Sequence, residues 1–305
     1  MKLSDFEGRF FRILRDGSFD SLCNLTSATR IHCLSFANDV RYIRQALRLD
    51  HITCLIVPTG IELPRDLLVS GKGIAVAAAP QAAFLSLHNT LCKTDDPRYV
   101  SAPAPTVIGA DCTIHPSAHI AECGVVLGDR VIVEENVVLR AGTTVEDDAH
   151  IMVGAVLGAG ACLSGKTPEG VRIPQLSAGY VHIGAGVHIW PYASVSRALF
   201  PFETTTVGAH SMIGCAVDIS HNAQIGRNAI ILDQSQICGN TTVEDDVRIA
   251  PHSIVSNRLT VGAGAEVAIG SVVVNNVKQG LRVAGNYAIE NAKFLLWHRE
   301  KMKIK

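Results

Sequence analysis

Among the twelve histidines of this 305-residue chain, one stands in a setting that could do proton chemistry. His221 lies in ISHNAQIG (219–226), two residues past Ile219 and with Asn222 beside it. An imidazole titrates near neutrality, at about 6.5 when unperturbed, so it can take up and return a proton without staying charged. The bland reading of the same residue is a solvated or stacked group on a repeat surface. His115 and His119, in TIHPSAHI, read as polar residues at the entrance of that repeat, and His210 and His252 make no particular claim. His182 and His188 are six apart and could share a face as metal ligands do, but no third ligand accompanies them. The nine cysteines are scattered, odd in number and without a CxxC pair. Thiols in a reducing compartment explain them better than a disulfide framework or a zinc site.

What positions His221 is a rhythm. From Val207 to Val273 an aliphatic residue falls at every sixth position, twelve times without a miss. In the same phase the frame extends back to Val195, Ile189 and Ile183, failing only at Pro201. An earlier stretch repeats it from Ile108 to Val126 and, after a shift of one residue, from Leu127 to Leu157. A step of six advances a helical wheel by about 600°, which scatters the hits, so no α-helix fits. Strand alternation would fill every second position instead. A short fixed period with Gly, Asp and Asn between the aliphatics predicts a β-solenoid, three short strands and about 18 residues per coil. The small and polar residues suit corners where φ is positive. His221 then falls near a corner, able to point out of the prism, and Gly239 lies one full coil further along the same wall. Residues 158–180 and 196–206 interrupt the rhythm; they are either ligand-contacting loops or corner decorations.

The flanks have no such period. ITCLIV (52–57) and GIAVAAA (73–79) read as short buried strands, and PQAAFLSLHNTL as a helix with Pro80 in its first turn. The reading divides the chain into a small α/β domain over 1–100, a solenoid over 101–285 and a helix over 286–305. KTDDPRYVSAPAPT (93–106) serves as linker. In the last segment Phe294, Leu295 and Trp297 read as apolar anchors. The terminal Arg299, Lys301, Lys303 and Lys305 are either a solvated helix end or a dock for an acidic carrier protein. The formal net charge of −1 gives no whole-chain reason to expect nucleic acid or an anionic membrane as partner. MKLSDFEGRFFRIL lacks an apolar h-region and no run reaches about 18 apolar residues, so neither a signal peptide nor a transmembrane segment is expected.

DISHNAQIGRNAIILDQSQICGNTTV resembles the catalytic coil region of the hexapeptide acyltransferases that N-acylate UDP-3-O-acyl-glucosamine in lipid A synthesis, the LpxD family. RIPQ (172–175) with GYVHIG (179–184) is similar to another family segment, and LSFANDVRYI (34–43) resembles its N-terminal uridine-binding element. The likeness touches nearly the whole chain. It implies a mainly β fold: a left-handed parallel β-helix with a small N-terminal α/β domain, forming a cytoplasmic homotrimer with sites between subunits. It implies an acyl-carrier-protein thioester as donor, a UDP-linked amino sugar as acceptor and no bound cofactor. By resemblance His221 is the general base and the Gly239 N–H the oxyanion donor. Phe36 and Tyr42 are the uracil clamp, with core packing as the alternative, and Asn38 bonds the base edge, although the family's asparagine aligns with Asp39. Asn222, Gln234, Gln236 and Arg258 join the substrate-binding set.

Three places depart from the family pattern. Arg258 stands at a second histidine, Gln236 at a glycine, and Gly214 with Cys215 at an Asp-Asn pair; the RVAGNYAI ending also differs. A bulkier Gln236 could narrow an acyl channel, and Arg258 could face a donor phosphate. Two rivals therefore stay open: an acetyl-CoA-dependent N-acetyltransferase acting on nucleotide amino sugars of surface polysaccharides, and a non-catalytic solenoid that binds sugar nucleotide.

Overall fold

The computed structural model describes every residue except 95, 101–102, 286–289 and 304–305. The expected boundaries at 100/101 and 285/286 abut those residues, and Lys305 and the second half of RVAGNYAI lie outside the described set. The N-terminal unit is a five-stranded sheet in the order β1-β5-β4-β3-β2. Its strands are β1 (Arg12–Arg15), β2 (Ser21–Leu22), β3 (Cys33–Phe36), β4 (Ile52–Pro58) and β5 (Gly73–Ala77). Only β1 is antiparallel. The helices are α1 (Val40–Leu47), α2 (Arg65–Val69) and α3 (Pro80–Lys93). The two apolar runs are indeed strands, the second as far as Ala77, and they are buried apart from Thr53 and Pro58, which are half-buried. Pro80 opens α3, where its missing N–H is no loss. The helix continues to Lys93, the first residue of the expected linker.

From Val107 onward two- to four-residue strands stack in three parallel sheets of nine, eight and eight strands. Ile219 pairs with Ile237, and Ile237 with Val255, so one coil is 18 residues. The inward aliphatics from Val145 to Val267 are almost entirely sealed from solvent, each contributing roughly 1.5–3 kcal/mol of burial. At the corners, a positive φ recurs at every sixth residue from His210 to Gly270. Gly, Asn and Asp were the expected occupants; Ala216, His210 and Arg258 take the same conformation. A left-handed L-residue costs roughly 1–2 kcal/mol. The coil below holds it there: the N–H groups of Gln234, Asn240 and Arg258 donate to Cys215, His221 and Gly239 carbonyls at 2.8, 2.9 and 3.2 Å.

Both insertions leave the prism to grip the N-terminal unit. The first forms a hairpin, Ser164–Lys166 against Arg172–Pro174, which packs on α3. The second buries Leu199 and Phe200 in the N-terminal core, with the Phe200 ring 6.1 Å from Phe84. Glu203 is buried beside them and accepts from Ser27 Oγ at 2.8 Å. His88 of α3 completes the joint. Its Nε2 donates to the Leu176 carbonyl at 2.8 Å, so Nδ1 accepts from the Tyr99 hydroxyl at 2.7 Å.

At the other end, α4 (Asn291–Met302) is helical as expected, but its apolar residues do not anchor it. Phe294, Leu295 and Trp297 are exposed, because the helix lies against no other described element. Phe294 instead meets Trp297 and His298 on the helix surface, and Lys301 Nζ sits 4.1 Å above the Trp297 ring. Among the described residues no helix is long and apolar enough to cross a membrane.

Burial depresses His88 to about 4 from an ordinary 6.5. Between those values the unfolded chain binds a proton that the folded chain refuses, so stability is full above pH 6.5 and falls as pH drops toward 4. From pH 7 to pH 5 the loss is about 2 kcal/mol by linkage. Thermal melts at the two pH values should show it, and His88→Gln should remove most of this acid sensitivity.

Candidate active site

Where the solenoid wall meets the N-terminal unit there is a cavity of about 940 Å³, at the upper end of the size range of small-ligand sites. The solenoid contributes Asp218, Ser220, His221, Gln236, Gly239 and Arg258; the N-terminal unit contributes Phe36, Asn38, Tyr42 and Gln45. The first insertion supplies residues 159–164 and Gln175. It is a wall of the cavity, whereas the second insertion mainly docks the domains and offers only Ser196 and Leu199.

The geometry around His221 follows from the coil. Asp218–Ile219 is a strand of one of the two eight-stranded sheets, and Ile219 points inward. His221 stands at the following corner and is 8% exposed, with Nδ1 buried and without a partner. One coil later comes Gly239. A Cβ built there would lie 2.7 Å from His221 Cδ2, with Nε2 and Cε1 closer still. Gly239 is therefore a glycine for space, since the imidazole fills the room a side chain would need. Its carbonyl accepts from Arg258, while its own N–H has no acceptor among the described residues. Burial lowers the pKa of His221 below its ordinary value, and the positive charge of Arg258 lowers it further. The ring is thus neutral at physiological pH and able to accept a proton.

The other candidates divide. Phe36 ends β3 and lies 5.0 Å, centroid to centroid, from Phe84, so one face belongs to the core while the residue still lines the cavity. Tyr42, in the first turn of α1, is 40% exposed, with Arg41 above its ring. No ring contact joins Phe36 to Tyr42 among the described residues. The Asn38/Asp39 offset resolves structurally: Asp39 caps α1 by accepting from the Tyr42 N–H at 3.1 Å, and Asn38 lines the cavity. Gln236 points outward and donates to Asp218 Oδ2 at 3.3 Å. Arg258 is an exposed corner residue at the rim, and no ion pair holds it among the described residues.

Two expected residues do not line the cavity. Asn222 is a corner residue whose amide donates to Asn240 Oδ1 at 3.0 Å, and Gln234 is an exposed corner on a different edge of the prism. Left-handed backbone is not what separates them from the site, because Asn240 and Arg258 share it and line the cavity. His182 and His188 do not share a face: six residues is one third of a coil, so they sit on adjacent sheets. His182 pairs with Glu146 at 3.0 Å, and His188 packs against His150 and Trp190. The residues missed from sequence are Asp218, Ser194 and Gln175, whose Nε2 is buried without a partner. Asp218 was detectable in principle, because the residue before an inward aliphatic must face outward on the wall that carries His221.

Comparison with known proteins bears on this arrangement. Residues 222–257 match the family described as bacterial transferase hexapeptide (six repeats). A UDP-N-acetylglucosamine acyltransferase from Campylobacter jejuni superposes with a TM-score of 0.53 over 65% of this chain and 80% of its own, at 16% identity. The fold is a left-handed parallel β-helix. In sequence the chain is similar to UDP-3-O-acylglucosamine N-acyltransferases. It is 35% identical to that of Caulobacter sp. (strain K31) over 137 residues, which is 45% of this chain and 39% of the relative. It is 32% identical to that of Coxiella burnetii (strain Dugway 5J108-111) over 191 residues, 54% of each. The matches thus span about half the length of these curated relatives or less. The resemblance drawn from DISHNAQIG and its neighbours is matched by relatives of that name.

The electrostatics of the β-helix site can be read directly. In an NMR titration His221 should titrate below 6.5, and Arg258→Ala should raise its midpoint part of the way back, leaving the contribution of burial. An unchanged midpoint in Arg258→Ala would mean that the guanidinium does not act on the imidazole.

Proposed function

We propose that this protein is an N-acyltransferase that moves an acyl group from a thioester to the amine of a UDP-linked amino sugar. The observation that carries the reading is the imidazole of His221 lying against Gly239, in a cavity whose opposite wall is the N-terminal unit's Phe36, Asn38 and Tyr42. Relatives at 30–35% identity that carry this activity in their name support it.

The chemistry follows from the groups present. A neutral amine attacks the thioester carbonyl carbon; a C–N bond forms and the carbonyl oxygen becomes an oxyanion. The unsatisfied Gly239 N–H would donate to that oxygen, the kind of fixed donor that stabilises such a charge. The nitrogen's surplus proton passes to the neutral His221, the C–S bond breaks, and the imidazolium returns the proton to the departing thiolate. Products are an amide and a free thiol. The uracil would stack between Phe36 and Tyr42, with Asn38 at its edge, and Arg258 at the rim is suited to a phosphate of the donor's pantetheine arm.

The finer assignments belong to the same proposal. An acyl carrier protein is the donor we favour, with coenzyme A as the alternative that Arg258 and Gln236 motivate. The protein itself needs no bound cofactor in this reading. A cytoplasmic homotrimer is the expected assembly, and exposed aliphatics such as Ile132, Ile254 and Val272 on the outer faces of the prism support association between copies.

A mass-spectrometric screen of UDP-amino sugars against acetyl-CoA and hydroxyacyl-loaded carrier protein tests the reading. Transfer from carrier protein alone is expected; transfer from acetyl-CoA alone would move the protein to the rival donor class, and no transfer would leave a binding solenoid. His221→Ala should lower turnover by about 10²–10⁴-fold. Gly239→Ala, which displaces the ring, should lower it by roughly 100-fold. Both should melt near the wild-type temperature. A folded His221→Ala protein with wild-type turnover removes the base.

A further inference from the structure

The transfer described above leaves one charged group of the cavity unused. Asp218 stands three residues before His221 and is partly buried. Its carboxylate is fixed from two sides: Ser194 Oγ donates to Oδ1 at 2.8 Å, and Gln236 Nε2 donates to Oδ2 at 3.3 Å. The three are vertical neighbours on one sheet, Ser194 paired with Asp218 and Asp218 with Gln236. Asp218 has no ion-pair partner among the described residues. No hydrogen bond joins it to His221, so the two do not form the acid–imidazole couple of a hydrolase triad.

Asp218 is also the one carboxylate among the residues that line the cavity. The other charged or titratable groups facing it are His221, Arg258, the Tyr42 hydroxyl and the thiols of Cys162 and Cys238. None of these can neutralise a cationic ligand group as a carboxylate does. A partly buried carboxylate held by two neutral donors, with no cation of its own, has lone pairs left to offer to one.

We propose that Asp218 receives the acceptor's amino group, which enters as an ammonium and gives one proton to bulk solvent before the neutral amine attacks, and makes the site select an amine over a hydroxyl. The assignment rests on the nucleotide amino-sugar reading above. It also gives Gln236 a role different from narrowing an acyl channel: with Ser194 it orients the carboxylate toward the ligand. Asp218 and His221 then stand as separate poles, one for the nitrogen and one for the proton that nitrogen sheds during attack.

Titration calorimetry with a UDP-amino sugar and with the matched UDP-sugar bearing a hydroxyl in place of the amine tests this without turnover. Wild-type protein should prefer the amine by about tenfold or more, the size expected for a charge-assisted hydrogen bond. Asp218→Asn should bind both alike, and Asp218→Glu should recover part of the preference. Asp218→Ser, which keeps a hydroxyl for its two neighbours, is the second variant and should behave as Asp218→Asn does. An amine preference that survives in a folded neutral variant overturns the role of Asp218 alone, as does wild-type protein that does not discriminate. Wild-type protein that binds neither nucleotide overturns the nucleotide-sugar reading and this inference with it.

Discussion

The vertical register of one coil on the next is the constraint from which the rest of the molecule follows. Parallel pairing at an interval of 18 residues places Ile219, Ile237 and Val255 in one inward column, and a slip of one residue would turn every such side chain outward. The same interval brings His221 over Gly239, although nothing in the local sequence around either residue requires them to meet. Hydrophobic burial in the narrow prism thus fixes the distance between the His221 imidazole and the Gly239 backbone, the proposed base and oxyanion donor. Both residues stand at tight corners that the hydrogen-bonded ladder holds in place, a rigid setting of the kind that suits chemistry depending on small displacements.

A solenoid alone offers only an open wall. Closure comes from the N-terminal unit, and the joint between them is made by apolar rings and by polar groups that must all be matched. Phe200 enters the ring cluster of Phe84 and His88, and both nitrogens of His88 are satisfied only while Tyr99 and Leu176 stay in place. Buried polar groups of this kind add specificity more than stability, because a partly matched arrangement costs more than an apolar one. The second insertion therefore holds the wall of Phe36, Asn38 and Tyr42 opposite His221 while only its Ser196 and Leu199 line the cavity.

Much of this was legible in the sequence because the inward position has a strict chemical requirement. Twelve consecutive aliphatics at a step of six have one physical reading, and Pro80 and the apolar runs of the N-terminal unit have nearly as few. The corners were only half legible: Asn and Gly advertise positive φ, but Ala216 and Arg258 adopt it because the register demands it. Asn222 and Gln234 read as site residues from their place in a motif, yet the cavity takes Asn240 and Arg258 from the edge that carries Asn222 and nothing from the edge that carries Gln234. The docking of Phe200 could not be seen, since it depends on which ring waits across a domain boundary. Asp218 was overlooked because an outward acid beside an inward isoleucine looks like any solvated strand residue until a second wall encloses it.

The 18-residue coil has a consequence for how such a chain can change length. Deleting or inserting a few residues between His221 and Gly239 would rotate every later face of the prism, whereas removing a whole coil elsewhere leaves all faces in phase. Length in this region is quantised. The two insertions obey that arithmetic by leaving at corners and re-entering the ladder in register, as Leu157 with Val195 and Ile183 with Val207 do. Evolution can therefore lengthen the loops that line the cavity freely, and the prism itself only one whole storey at a time.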